Sequence, residues 1–217
     1  DLLSRSLEFL NATRAQLPPP PLPVTFPVVP GNINVNETPD GALMEEVQQG
    51  RLGSLATLFE KHHRPLFHFF HRLNGNQALS EDLVQEVFFR MLKYRSTFQP
   101  ERPFTAWMYQ IARNAQTDSL RKRKFEVALG NEDIEHRDAD RPDEKLSQRQ
   151  EAGLLRKALQ RLPEEKREVL VLSRFQNLKY EEIASILGCE VGTVKVRVYR
   201  AVRALAQEYR QLAGEKV

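Results

Sequence analysis

The stretch KYEEIASILGCEVGTVKVRVYRAVRAL, residues 179–205, decides the fold of this chain. Its first apolar residues recur at helical spacing, which predicts a short helix over Tyr180–Leu187. Gly188 accepts the left-handed backbone that often ends a helix, so a tight turn follows it. A second helix then begins near Val191 or Gly192. The pattern therefore predicts two helices joined as a helix-turn-helix.

The second predicted helix has one apolar face and one basic face. With about 3.6 residues per turn, Val194, Val198, Ala201 and Leu205 fall on the same side. The remaining sides carry mostly polar and cationic residues: Thr193, Lys195, Val196, Arg197, Tyr199, Arg200 and Arg203. Such a helix can enter the major groove of duplex DNA. A helical hairpin with a solvated basic face is the alternative that this pattern leaves open.

Composition limits the classes of protein to consider. The 217 residues, of which 41% are hydrophobic, suffice for one large domain or two small ones. No run of 18 apolar residues and no signal-peptide pattern occurs, so we expect no membrane span. A single cysteine excludes an internal disulfide framework and a cysteine zinc site, and it suggests a reducing, cytoplasmic location. The net charge of +3 hides basic runs at 113–124 and 195–203, which favour a polyanionic partner.

The N-terminal 40 residues differ from the rest of the chain. A possible short helix over residues 1–17 precedes the proline-rich run PPPPLPVTFPVVPGN at 18–32. Prolines remove backbone donors and block helices and inner strands, so this run is a linker or an extended docking segment. Two interpretations stay open: a disordered tail, or a regulatory helix that packs on the domains behind it.

Helical periodicity then continues to the C-terminus with one interruption. The predicted fold class is all-α, with two small helical domains at 41–125 and 147–217. The acidic segment 126–146 has no apolar stripe and is predicted to be a flexible linker. The first domain holds four histidines, but none has a carboxylate or thiolate at a metal-binding spacing: His62, His63, His68 and His71. We therefore expect neither a metal nor another cofactor.

Two surfaces of the first domain suggest partners. Ser80 is predicted to cap a helix whose outward face is acidic and carries a phenylalanine, which indicates a protein-docking face rather than a solvated one: Asp82, Gln85, Glu86 and Phe89. A loop and the helix that Pro103 opens combine aromatic, amide and basic residues: Tyr94, Phe98, Arg102, Phe104, Trp107, Asn114 and the run Arg121–Lys124. This combination is typical of single-stranded nucleic-acid surfaces, although the helix dipole alone would also favour the terminal cations.

Four stretches in this order resemble RNA polymerase sigma factors of the extracytoplasmic-function (ECF) group. They are SEDLVQEVFFRML, FTAWMYQIARNAQTDSLRKRK, LQRLPEEKREVLVLSRF and LKYEEIASILGCEVGTVKVRVYRAVRAL. The resemblance covers about residues 41–212 and implies two DNA-binding domains, called regions 2 and 4. It implies core RNA polymerase and promoter DNA as partners, and commonly an anti-sigma factor. The first 40 residues have no counterpart in the usual ECF chain and could be a restraint in cis, a fused fragment or an inert tail.

The resemblance also implies a role for each candidate residue. The residues implied to bind polymerase are Asp82, Gln85, Glu86 and Phe89. Recognition and melting of the −10 promoter element fall on Tyr94, Phe98, Arg102, Phe104, Trp107, Asn114, Arg121 and Lys122. Recognition of the −35 element falls on Thr193, Lys195, Val196, Arg197, Arg200 and Arg203.

Two other functions remain as alternatives to a non-enzymatic sigma factor. The helix-turn-helix could belong to a regulator that binds duplex DNA without polymerase. The histidines could instead serve a metal-dependent hydrolase, although no nucleophile–base pair or phosphate-binding glycine loop accompanies them.

Overall fold

The computed structural model describes residues 39–128, 146–176 and 178–214, and this part of the chain is built from helices. The first helical unit comprises α1 (Pro39–Gln48), α2 (Gly53–Asn74), α3 (Gln77–Lys93) and α4 (Phe104–Ala128). The second unit comprises α5 (Leu146–Arg161), α6 (Glu164–Leu170), α7 (Tyr180–Leu187) and α8 (Val191–Leu212). A 3₁₀ turn, Arg95–Thr97, precedes α4, and a π-helical turn, Val171–Phe175, extends α6. The predicted all-helical class with two helical units is confirmed.

Aromatic residues fill the core of the first unit. Phe69 and Phe70 on α2 are fully buried and pack edge to face, and Phe69 makes the same contact with Tyr109 on α4. Met91 from α3 and Met108 from α4 are buried in the same core. Rings of this size contribute large apolar areas, and the Phe69–Tyr109 contact links α2 to α4 within a core that α3 shares with both.

The start of α3 differs from the prediction. Ser80 was expected to cap this helix, but Asn76 is the N-cap and accepts a hydrogen bond from the Leu79 amide at 2.9 Å. Ser80 lies inside the helix, buried, and its hydroxyl donates to the Asn76 carbonyl at 2.6 Å. Asparagine caps helices as well as serine does, so the helix begins one turn earlier.

The helix-turn-helix occupies the residues that its pattern predicted. α7 spans Tyr180–Leu187, Gly188 has a left-handed φ of 63°, and α8 begins at Val191. Val194 and the other residues of the predicted inner face of α8 pack against the core. In α5, Ala158 and Leu159 define the buried side, and Leu155 is 39% exposed.

The two units pack against each other. Buried residues of both units form one continuous core, and α4 packs against α7 while α2 packs against α5 and α6. The sequence predicted two domains that are only flexibly joined, so this packing is a new feature. The predicted extension, except for residues 39 and 40, and the centre of the predicted linker lie outside the described residues, and the domain boundaries stay predictions.

Candidate nucleic-acid interface

The outer face of α8 is a continuous exposed surface that mixes cations with a few apolar side chains. We call it the recognition face, and all its members are exposed: Thr193, Lys195, Val196, Arg197, Arg200 and Arg203. Tyr199 lies beside them at 62% exposure, and the Arg203 guanidinium sits 5.8 Å from the centre of its ring. An aromatic ring under a cation restrains its position while leaving donors available. The sequence predicted Tyr199 on the outer sides of this helix but gave it no role in recognition.

Helix α7 holds the recognition face in position. Glu182 accepts a hydrogen bond from the Lys179 amide at 2.8 Å, which caps the first turn of α7. Ile183 and Ile186 from α7 are fully buried beside Val194 and Val198 from α8. Because the inner side of α8 packs against α7, the cationic outer side of α8 is held facing the solvent.

A second surface runs along α4 and centres on the half-buried Trp107. The indole N–H donates to the Thr97 hydroxyl at 3.3 Å, and Gln110 donates to Asn114 at 3.4 Å. Trp107, Gln110, Asn114 and Arg121 recur every three, four or seven residues, so they form one stripe along the helix. We call these four residues the aromatic–polar stripe. Gln110 is a member that the sequence did not indicate, although its spacing from Trp107 could have revealed it.

Two aromatic residues predicted for this surface belong to the core instead. Phe98 and Phe104 are 3% and 2% exposed, and both rings lie within contact distance of Trp107. In this structure neither ring can stack on a base, so the expected direct contact is corrected to a supporting one. The edge-on contact with Phe98 and the tilted contact with Phe104 fix the indole of Trp107, whose remaining surface is accessible.

The loop before α4 is anchored by a residue that the sequence did not single out. The Gln48 side chain on α1 donates to the carbonyls of Arg95 and Phe98, at 2.8 and 2.9 Å. Tyr94 at the start of this loop is half-buried, and Lys93 lies 5.2 Å from its ring centre. The remaining predicted residues of this surface are half-buried or exposed: Arg102, Arg121 and Lys122.

The predicted protein-docking face on α3 is only partly open. Asp82 is exposed, whereas Gln85 and Phe89 are half-buried. Glu86 accepts a hydrogen bond from Arg90 at 2.6 Å, and Arg90 also binds Asp118 of α4 at 2.8 Å. The sequence missed this three-residue network, which orients Glu86 and ties α3 to α4.

The histidines of α2 have structural contacts. His62 lies 2.9 Å from the Asp40 carboxylate and against the Phe104 ring, and burial lowers its pKa despite that carboxylate. His63 stacks on Phe59 at a ring distance of 5.0 Å. In the part of the chain that the structure describes, no three histidine, cysteine or acidic side chains are grouped as a metal site would require.

Fold and surfaces together define a helical protein with a helix-turn-helix and a separate aromatic–polar surface. The Sigma-70 region 2 family matches residues 58–126, and the Sigma-70, region 4 family matches residues 152–205. The RNA polymerase sigma factor CarQ of Myxococcus xanthus is 32% identical over 173 residues, covering 79% of this chain and 96% of CarQ. The ECF RNA polymerase sigma factor SigW of Bacillus subtilis is 28% identical over 179 residues, covering 78% and 96%.

Solved structures agree with these relatives. The sigma factor RpoE of Bartonella quintana, in complex with the anti-sigma factor NepR, superposes with a TM-score of 0.62 at 27% identity, covering 75% of this chain and 98% of RpoE. CnrH, in complex with the cytosolic domain of CnrY, shares the fold with a TM-score of 0.60 at 24% identity, covering 77% and 95%. The chain belongs to the ECF group of RNA polymerase sigma factors. Among the described residues, no helix is long and apolar enough to cross a bilayer.

Proposed function

We propose that this chain binds core RNA polymerase and directs it to promoters, using the recognition face for the −35 element and the aromatic–polar stripe for the −10 element. One observation carries the proposal: a single ECF chain exposes a cationic recognition helix and, on another helix, an accessible tryptophan beside polar side chains. The first suits duplex DNA and the second suits unpaired bases.

The −35 role rests on the exposure and charge of α8. Arginine can donate two hydrogen bonds to guanine in the major groove, and lysine and threonine reach bases or phosphates there. The N-terminal residues of a recognition helix approach base edges most closely, which favours Thr193, Lys195 and Arg197. Val196 is exposed at the same end and can contact a thymine methyl group.

The −10 role rests on Trp107 and its neighbours. A base extruded from the duplex loses stacking energy, and stacking on an aromatic side chain offsets it by roughly 1–3 kcal/mol. Asn114 and Gln110 carry amides that can pair with base edges, and exposed Arg121 and Lys122 continue the surface with positive charge. Phe98 and Phe104 contribute by fixing the indole.

The acidic face of α3 is proposed to bind polymerase, with Asp82 and Glu86 as its charged members. The similar sigma factor RpoE of Bartonella quintana was solved in complex with the anti-sigma factor NepR, so we propose an anti-sigma partner for this chain as well. We propose that this chain acts in the cytoplasm, where polymerase and promoter DNA are present. We also propose that it catalyses no reaction itself. Membership of this family does not favour a regulator that acts without polymerase.

A transcription assay tests the proposal. Core polymerase would be incubated with a DNA library randomised over the −35 and −10 positions, with and without the chain, and run-off products sequenced. We expect products with a common start and a common pair of upstream motifs only when the chain is present. Products that are identical without it, or tight duplex binding that polymerase does not strengthen, would contradict the proposal.

Trp107 provides the matched variants for the −10 role. Trp107→Ala removes the stacking surface and should reduce promoter opening by about tenfold or more, a fold change within the stacking range. Trp107→Phe keeps an aromatic face and should retain most of it. The measurement is permanganate reactivity of −10 thymines in the polymerase complex. Equal reactivity in the alanine variant and the unmodified chain would remove Trp107 from the −10 surface.

A further inference from the structure

One side chain of α1 holds the loop between α3 and α4, residues 94–103. The Gln48 side-chain nitrogen donates to two carbonyl oxygens of this loop, those of Arg95 and Phe98, at 2.8 and 2.9 Å. An amide nitrogen carries two hydrogens, so these two bonds use its whole donor capacity. Hydrogen bonds within the loop backbone join residues three positions apart and shape its turns. Gln48 adds a pair of bonds to a different helix.

The segment that Gln48 holds provides two contacts to Trp107. The Thr97 hydroxyl donates to the Tyr94 carbonyl at 2.8 Å and accepts from the Trp107 indole at 3.3 Å. The Phe98 ring lies edge-on to the indole, with 5.3 Å between the ring centres. Thr97 and Phe98 both belong to the short segment whose carbonyls Gln48 binds. A shift of that segment would therefore displace the indole.

The other end of α1 reaches the same tryptophan by a second route. Asp40, in the first turn of α1, pairs with Lys61 and lies 2.9 Å from a ring nitrogen of His62. The His62 ring lies 5.3 Å from the ring of Phe104, which in turn lies 6.3 Å from the ring of Trp107. Helix α1 is therefore attached at both ends to residues that surround the indole, although it contributes no residue to the recognition face or to the aromatic–polar stripe.

We propose that Gln48 is a positioning residue for promoter opening: it holds the loop so that Trp107 presents its accessible face to the unpaired −10 strand, and it does not contact DNA itself. The role in opening rests on the function proposed above for Trp107, whereas the positioning of the indole in the free chain does not. The chemistry of glutamine suits this task. Its terminal nitrogen can bridge two carbonyl oxygens, whereas a carboxylate of the same length would place negative charge against them.

Intrinsic fluorescence of the free, full chain tests the positioning, because Trp107 is its single tryptophan. Gln48→Glu keeps the size of the side chain and removes both donors, so the loop loses two hydrogen bonds. This loss should shift the balance between the held and the released loop by about tenfold or more. Acrylamide should then quench Trp107 more strongly than in the unmodified chain, while the helical circular dichroism stays the same.

Two further variants serve as control and rescue. Gln49 is the exposed neighbour of Gln48, and its side-chain oxygen accepts a hydrogen bond from Arg51 at 2.8 Å. Gln49→Glu adds the same charge to α1 and keeps that acceptor, so the quenching should not change. Gln48→Lys retains a nitrogen donor that can bridge both carbonyls, so it should restore most of the protection of Trp107.

The same three variants, bound to core polymerase and a promoter, test the role in opening. Gln48→Glu should lower the permanganate reactivity of the −10 thymines by about tenfold, following the shift in the loop. Gln49→Glu and Gln48→Lys should keep most of that reactivity, and all three variants should bind polymerase as tightly as the unmodified chain does.

Each outcome separates the two halves of the inference. Unchanged quenching in a folded Gln48→Glu variant, or a Gln48→Lys variant as defective as Gln48→Glu, would overturn the positioning of Trp107. Stronger quenching with full promoter opening would overturn the role in opening. Failure of the unmodified chain to open any promoter would count against the proposed function, and the quenching would still decide whether Gln48 holds the indole in place.

Discussion

Arg200 illustrates how a single exposed side chain can be assigned a role that is open to measurement. It stands at the middle of the recognition face, on the side of α8 opposite buried Val198 and Ala201. If it makes a bidentate contact with a base, Arg200→Ala should weaken binding of the polymerase complex to the −35 element by roughly 1–3 kcal/mol and relax preference at one position. Promoter binding to a set of single-base −35 variants would measure both effects.

Arg210 is the matched control for that experiment. It is also exposed on the same helix but lies in its last turn, beyond the residues of the recognition face. Arg210→Ala changes the charge by the same amount and should leave the −35 preference intact. Equal losses from the two variants, without any change in base preference, would mean that Arg200 contributes only general electrostatic attraction.

Glu168 gives a prediction about pH. Its side chain is 17% exposed, and burial raises its pKa above the ordinary value of 4.5, although Arg113 opposes the shift; Glu164 and Glu165 on the same helix add to it. A raised carboxyl pKa means that the folded chain binds the proton more tightly than the unfolded chain. The stabilisation is complete below pH 4.5 and is lost as the pH rises through the raised value.

Glu168→Gln removes this titration and measures it. The free energy of unfolding of the unmodified chain, relative to the variant, should fall as the pH increases above 4.5. Urea unfolding at a series of pH values gives the difference directly. A difference that stays constant, or one that grows with pH, would contradict the assignment of a raised pKa to this buried carboxyl.

At the scale of single residues, the sequence could not distinguish the buried aromatic residues near α4 from the accessible one. Phe98, Phe104 and Trp107 lie close together in the sequence, and nothing in their spacing separates a base-stacking ring from a core ring. The structure separates them by burial, since two are enclosed by the first unit and one is accessible. That distinction depends on residues far away in the sequence, since Gln48 of α1 anchors the loop and His62 of α2 lies against Phe104.

At the scale of elements, the helix-turn-helix could be predicted almost residue by residue, because its signals are local. Apolar spacing fixed both helices and Gly188 fixed the turn. The start of α3 was less predictable, since Asn76 and Ser80 are both good caps and only tertiary contacts choose between them. The π-helical turn after α6 has no sequence signal that we can identify.

Alanine substitutions at two glycines test whether the turn of the helix-turn-helix requires left-handed backbone at Gly188. Gly188 has a φ of 63° and Gly192 lies in helical backbone, and a Cβ at either position would meet nothing within 4 Å. Gly188→Ala should therefore cost about 1 kcal/mol through backbone strain alone. Gly192→Ala should add up to about 1 kcal/mol of stability, because alanine favours helix. Thermal unfolding of the two variants would measure both changes in stability. A Gly188→Ala variant more stable than the unmodified chain would contradict left-handed backbone at Gly188.

At the scale of the whole molecule, the sequence predicted the family and the two helical units but not their packing. Three hydrogen bonds between the units join residues 55–77 positions apart, and no periodicity links Thr105 to Glu182 or Arg113 to Glu168. From the sequence alone, each of these residues is typical of an exposed helix surface. The polar character of one side of α4 became informative only when its partners were known.

The central claim is that the recognition face binds the −35 element and the aromatic–polar stripe binds the −10 element. Site-specific crosslinking in the initiation complex tests it most directly. Photoreactive amino acids would replace Lys195 on the recognition face and Gln110 on the aromatic–polar stripe, each in a separate full-length chain bound to polymerase and promoter. We predict that the probe at position 195 crosslinks to −35 DNA and the probe at position 110 crosslinks to the unpaired −10 strand. Crosslinks from both probes to the same element, or from neither probe to promoter DNA in a transcribing complex, would contradict the account.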